Sequence, residues 1–291
     1  MKNEILFEKI TDQVIKSLEG AGQWSKCWAN VLGNVPHNGA TGHCYSGINW
    51  LHLSLAGYES PQWLTFKQLT AMGGSIKGKK GVGYNVIRPV QGTYEDKQGD
   101  KQSFYTLKNY TVWNVEEIDG LDKSKLVEYD PCEKFWCEEQ DMVASFKDEL
   151  GLSLEFGGNT ACFIPSADHI KMPRRKAFET DNHFDSTFLH ELVHWTGHKS
   201  RLDRLDDRSK RGYAFEELVA ELGSAMLGSI VGLPYEGLQH GEYIKSWLKA
   251  FDGDIKYVYD ASKEARKACE YIIENSPKTI FQPKKVNEVA A

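Results

Sequence analysis

The run His190-Glu191-Leu192-Val193-His194 sets two imidazoles four residues apart. On an α-helix that spacing stacks both rings on one face, one turn apart, where they can grip a single metal ion. Glu191 sits about 100° round the same helix, placed to reach a water on such an ion but not the ion itself. The chemistry implied is a cation that acidifies water and a carboxylate that takes the proton. Three fixed positions also arise by chance on a polar helix face, so the motif requires a further donor from elsewhere in the chain. It constrains the fold all the same. Residues 185–197 must be helical, and a second element must approach their metal-facing side.

That element is expected at Tyr213–Val231. Within it, Glu217 and Glu221 lie four apart on one face, roughly opposite Phe215, Leu222 and Met226. Carboxylates on a largely apolar helix are costly unless paired or metal-bound. The spacing favours Glu217 as third ligand and Glu221 as the partner that orients a ligating imidazole. The competing description is a solvated Glu-rich stripe. His198 is a rival ligand because Gly197 can turn the chain there. Yet His198 adjoins that glycine, with little chain in which to return to the ion, and it suits a helix C-terminus, where a cation is favoured. His183 reads as a surface or pocket histidine. Zinc is the default ion for two His and one Glu; Mn2+ and Co2+ fit the same set.

A chain of 291 residues has room for this site and a second unit, since domains run to ~150 residues. At 41% hydrophobic and 26% charged it is expected to fold rather than stay disordered. No apolar run reaches the ~18 residues of a membrane span, and Lys2, Glu4 and Glu8 break up any secretory signal. Six cysteines without a Cys-x-x-Cys pair suggest reduced thiols and a cytoplasmic setting. Charge is unevenly divided: residues 1–125 carry +2 and 126–291 carry −8, with a local +5 over 67–108. An acidic chain can therefore still present a local nucleic-acid face.

Leu6, Ile10, Val14 and Leu18 repeat every four residues, predicting a helix over Asn3–Glu19. Residues 20–50 are turn-rich, a helix is expected at 61–72, and strands Tyr84–Val90 and Ser103–Asn114 form a hairpin across a long loop, Gly92–Lys101. Glu117–Pro131 reads as a linker. Beyond it come a helix at Glu133–Leu150, strands at Ser153–Phe156 and Ala161–Pro165, and helices at Asp185–Gly197, Tyr213–Val231, Glu242–Phe251 and Asp254–Asn275. Sequence-tolerant binding of single strands needs aromatic faces and cations. Trp24, Trp28, Tyr45, Trp50, Trp63 and Phe66 offer the first; Lys26, Lys67, Lys77, Lys79 and Lys80 offer the second. The basic Gly73–Gly83 stretch is no Walker A loop, because Lys80 follows Lys79. Each tryptophan also fits a core, and the lysines also fit a solvated hairpin. The connection Lys199–Arg211 holds six basic and three acidic residues. It reads either as self-paired or, through Arg201, Arg204 and Arg208, as a contact for DNA or substrate.

His190–His198, Ser200-Arg201-Leu202 and Tyr213–Glu221 resemble the zincin-like domain of ArdC-type antirestriction proteins, which plasmids and phages carry. Ile170-Lys171-Met172-Pro173 resembles that family's strand leading into the site. Gly22–Trp28 resembles its tryptophan-framed motif, though Gln23 and Cys27 stand where prolines are usual. Thr41–Asn49, Trp63–Leu69, Gly73-Gly74 and Tyr110–Glu117 complete a resemblance over residues 4–275. It implies an α+β fold: an N-terminal α+β single-stranded-DNA-binding domain (1–125), then a mainly helical zincin-like metallopeptidase domain with a small sheet (126–291). It further implies one divalent ion on His190, His194 and Glu217, with Glu191 as base and Glu221 behind the ligands. Single-stranded DNA would be held by Trp24, Lys26, Trp28, Tyr45, Asn49, Trp63, Lys67, Lys77, Lys79 and Lys80. The expected partners are that DNA and a host protein substrate, with no membrane, in the bacterial cytoplasm. Two alternatives stay open: a DNA-binding protein whose metal is structural only, and a cytosolic metallopeptidase with no DNA role.

Overall fold

The N-terminal half is organised by a long hairpin. β3 (Tyr84–Glu95) and β4 (Lys101–Asn114) pair antiparallel from Tyr84↔Val112 out to Glu95↔Lys101. Gly92–Glu95 and Lys101, expected within the loop, are therefore strand. The hairpin's outer residues, such as Thr93, Tyr94, Gln102 and Ser103, are exposed, so they show no apolar alternation by which a strand is recognised. β2 (Gln62–Thr65) pairs antiparallel with β4, and β1 (His37–Asn38) pairs parallel with β2, in the order β1-β2-β4-β3. The structure, a computed structural model, describes residues 35–76, 83–95, 100–127, 142–206, 209–233 and 255–276. The helices expected at Asn3–Glu19 and Glu242–Phe251 lie outside these, as do Trp24, Lys26, Trp28, Lys77, Lys79, Lys80 and Arg208.

The helix expected at 61–72 is split. Residues 62–65 extend as β2, and α2 (Phe66–Ala71) begins only after Thr65. Thr65 Oγ1 accepts from the Gln68 N–H while Gln68 Oε1 accepts from the Thr65 N–H, at 3.4 and 2.9 Å. This capping box, rather than Pro61, starts the helix. The turn-rich segment before it also contains a helix, α1 (Gly47–Ser54), buried on nearly every residue. The linker expected at Glu117–Pro131 is, as far as Val127, stitched to the sheet. Ser75 and Asp119 exchange backbone hydrogen bonds, and the Val127 N–H donates to Gly39 O.

In the C-terminal half, α3 (Met142–Leu150) precedes a three-stranded sheet of β5 (Ser153–Phe156), β6 (Cys162–Ile164) and β7 (His169–Met172). The order is β5-β7-β6, with β5 parallel and β6 antiparallel to β7. α4 (Asp181–Thr196) starts four residues before the expected Asp185, because the Thr180 hydroxyl caps it by accepting from the His183 N–H. α5 (Lys210–Val231) is capped by Ser209 and stops at Gly232, whose φ of +73° is the left-handed geometry glycine adopts freely. α6 (Ile255–Asn275) packs on both α5 and α1.

The architecture is α+β, with a mainly helical C-terminal half and a small sheet. One buried cluster spans both halves. Trp50 and Leu51 of α1 and Ile87 of β3 share it with Phe188 and Leu192 of α4, Leu218 and Leu222 of α5, and Ile272 of α6. Among the described residues no helix is long and apolar enough to cross a membrane.

Candidate metal centre

α4 exposes little of its surface. Phe184, Phe188, Leu189, Leu192 and Val193 are buried, which anchors the helix and aims its polar residues at α5. His190 Nε2 and His194 Nε2 lie 3.1 Å apart, as helical spacing requires. From α5, Glu217 brings one carboxylate oxygen to 3.5 Å from His190 Nε2 and the other to 3.6 Å from His194 Nε2. Among the described residues these three form the group able to hold a metal ion, with ligand atoms all within 4.8 Å of one another.

Both imidazoles are oriented from behind. His190 Nδ1 lies 3.4 Å from Glu221 Oε1, and His194 Nδ1 lies 3.2 Å from Glu216 Oε1. With each Nδ1 engaged, each Nε2 is turned toward the Glu217 carboxylate. Two borderline nitrogens and one hard oxygen, converging with their tautomers set, fit a divalent ion. Burial opposes a charge on His190, but the Glu217 and Glu221 carboxylates outweigh it and hold its pKa up at about 10. Burial would likewise raise Glu217; hydrogen bonding to His190 and the nearby imidazoles bring it below the ordinary carboxylate range.

Glu191 is buried at 7% exposure, and its Oε2 accepts from the Phe163 N–H of β6 at 2.7 Å. Burial lifts its pKa above the usual carboxylate value, against the pull of His194 and His190. A carboxylate so tuned is a stronger base than one in water.

The structure thus brings together His190, Glu191, His194, Glu217 and Glu221. His198 lies elsewhere: its Nδ1 sits 2.7 Å from Ser200 Oγ and 3.9 Å from Asp168. Three residues at the site have no mark in a ligand-spacing argument. Glu216 holds His194, Arg204 holds Glu216, and the Tyr213 phenol hydrogen-bonds Glu217. The doubled Glu216-Glu217 pair was the available signal. The reading of Arg201 and Arg204 as contacts for DNA or substrate is corrected. Their side chains are 7% and 6% exposed, paired with Asp168 and Glu216 respectively. Arg201 also lies over the Trp195 ring at 3.9 Å.

Of the nucleic-acid candidates among the described residues, Phe66 and Lys67 are exposed. Trp63 is 1% exposed, packed with Leu53, Val86 and Val112, and the Tyr58 and Tyr84 rings meet it edge-on. Its expected role as a stacking face is corrected; it is core, and so is Trp50. Asn49 donates to Ile87 O at 2.7 Å and accepts from the Ile87 N–H at 2.9 Å, so its amide clamps α1 to β3 rather than facing DNA. Tyr45 is half-buried against the Trp63 cluster.

Comparison with known proteins places these features in a family. A model of the N-terminal domain of anti-restriction factor ArdC matches residues 5–113, and a zincin-like metallopeptidase model matches 141–264. A DNA primase TraC of Escherichia coli is 32% identical over 306 residues, covering 98% of this chain but 20% of that protein. The chain thus spans about a fifth of that relative's length, and 28% of a second TraC. The uncharacterized y4eC of Sinorhizobium fredii is 30% identical, with 92% of this chain and 91% of the relative covered. Crystal structures of the antirestriction protein ArdC from plasmid R388, metal-free and Mn(II)-bound, superpose with TM-scores of 0.74 and 0.73. Each is 33% identical and covers 93% of this chain and 97% of its own. With both family models in sequence order and that likeness over nearly the whole of R388 ArdC, the chain belongs to the ArdC antirestriction family.

Proposed function

We propose that this protein is an antirestriction factor of a mobile element, acting in the bacterial cytoplasm, that binds single-stranded DNA and carries a metal-dependent peptidase site. The observation that carries the proposal is the convergence of His190, His194 and Glu217 beside a buried Glu191. These three residues would hold one divalent ion; the donor set suits Zn2+, and R388 ArdC supports Mn(II). When bound, such an ion supplies Lewis acidity and brings the pKa of water from ~15.7 toward ~7. Glu191 is the group that accepts the proton, and the Phe163 N–H fixes the carboxylate that does so. Because β6 is an edge strand of its sheet, an extended segment of a host protein laid along it would pass Glu191.

For the DNA half, the family membership is joined by an exposed surface on α2 and the hairpin. Phe66 is 56% exposed and meets the Trp113 ring edge-on at 6.1 Å, with Lys67 exposed beside it. Tyr94, Arg88, Lys101, Lys108 and Tyr110 are exposed on the strands. Aromatic faces interleaved with cations are what sequence-tolerant single-strand binding uses.

The test uses the full chain, wild type against Glu191→Gln, with elemental analysis, a proteome-wide cleavage screen and salt-dependent binding to single-stranded oligonucleotides. Expected are one metal per chain in both proteins, cleavage only in the wild type, and DNA affinity that falls with salt in both. Metal retained with no cleavage by either protein makes the metal structural and overturns the peptidase reading. Cleavage without oligonucleotide binding overturns the DNA reading.

A further inference from the structure

Resting on the metal reading above, we infer that Arg204 and Glu216 are a positioning pair that holds His194 in its ligating orientation, and so set the affinity of the centre. Arg204 follows α4 in the chain and its guanidinium turns back into the helix end. Nη1 donates to Thr196 Oγ1 at 2.9 Å and Nη2 to Val193 O at 2.9 Å. The same fork reaches across to α5, Nε donating to Glu216 Oε2 at 3.2 Å and Nη2 to Glu216 Oε1 at 3.0 Å. Glu216 Oε1 in turn lies 3.2 Å from His194 Nδ1.

Every link is enclosed. The Arg204 and Glu216 side chains are 6% and 11% exposed, and Thr196 is fully buried. Space for the guanidinium is reserved by Gly197, where a Cβ would stand 3.1 Å from Arg204 Nη2 and 3.0 Å from Leu205 Cγ. A side chain at Gly197 would therefore crowd the guanidinium, a reason for glycine there other than turning His198 toward the ion. The arrangement does two things. It ties the guanidinium to the Val193 carbonyl in the last turn of α4, and it makes Glu216 a bidentate-held acceptor for His194. Lysine has no such fork to reach Thr196, Val193 and both oxygens of Glu216 together.

The test measures Mn2+ affinity of the full chain by the electron paramagnetic resonance signal of free Mn2+, with circular dichroism confirming the fold. Glu216→Ala is expected to weaken binding about 10- to 100-fold, the range for partners standing behind a ligand. Glu216→Gln keeps an oxygen that accepts from Nδ1–H and is expected to lose much less affinity than Glu216→Ala. Arg204→Lys, which keeps the charge, is expected to weaken binding about tenfold. The Mn2+ line shape should change in Glu216→Ala and be restored in Glu216→Gln, which a merely structural role would not produce. Unchanged affinity in Glu216→Ala overturns the inference, as does an equal loss in Gln and Ala, which would make charge the determinant. If Glu216→Ala does not fold, Arg204→Lys decides alone, and wild-type affinity in that variant overturns the pair's role. A wild type that takes up no Mn2+ overturns the metal reading itself, an outcome distinct from all of these.

Discussion

A Cβ on Gly223 would lie 2.9 Å from Cγ2 of Val193, so the two helices that carry the donor set meet through a glycine. Val193 adjoins His194 in the chain, and Gly223 lies two residues past Glu221. The close approach is what brings Glu217 and Glu221 within reach of His190. Gly223→Ala is expected to cost ~1–3 kcal/mol by overpacking and to weaken metal binding as α5 is pushed away. Val193→Ala in the same chain should recover most of both losses. Urea denaturation of the two single variants and the double decides; strictly additive costs would contradict the contact.

Metal content should follow the geometry at His198. Glu217→Ala and His190→Ala are expected to lose the ion, whereas His198→Ala, whose partners are Ser200 and Asp168, should keep it. Elemental analysis after dialysis reads this directly. Loss in His198→Ala with retention in Glu217→Ala would assign the third ligand to the wrong helix.

Stability should depend on pH through His52. The ring is 2% exposed, and burial pushes its pKa down from 6.5 to about 4. Above pH 6.5 the ring is neutral in both states and its burial carries no proton cost. Below 6.5 the unfolded chain takes up a proton that the folded chain refuses until about pH 4, so stability falls across that window. The full effect is ~3 kcal/mol. Unfolding by urea at pH 7, 5.5 and 4 should show wild type losing that much more than His52→Leu. Parallel pH profiles for the two proteins would show the imidazole to be protonated in the fold.

Trp63 and Phe66 should separate stability from DNA binding. Trp63→Ala is expected to cost ~3–5 kcal/mol of stability, as a core aromatic does. Phe66→Ala is expected to leave the melting temperature near that of wild type and to weaken single-stranded oligonucleotide binding by ~1–3 kcal/mol. Anisotropy titrations with thermal melts on the same samples give both numbers. Unchanged DNA affinity in Phe66→Ala would remove α2 from the DNA surface.

What the sequence by itself determined is what depends on spacing along the chain. His190 and His194 share a face because a helix turns every 3.6 residues, and Glu217 and Glu221 do so for the same reason. Strand Ser153–Phe156 and the Gly232 stop of α5 are equally local. Tertiary structure alone decided which side of each residue is covered. Trp63 and Phe66 lie three apart in one motif, yet one is core and the other exposed, because β4 and α1 close over the first. The outer hairpin carries no apolar alternation at Thr93–Glu95 and Lys101–Ser103, which are exposed, and α1 packs against α6, some two hundred residues on. Arg204 and Glu216 become partners only because the fold sets the chain after α4 against α5. Burial and pairing are properties of chain segments brought together, and no spacing within one segment encodes them.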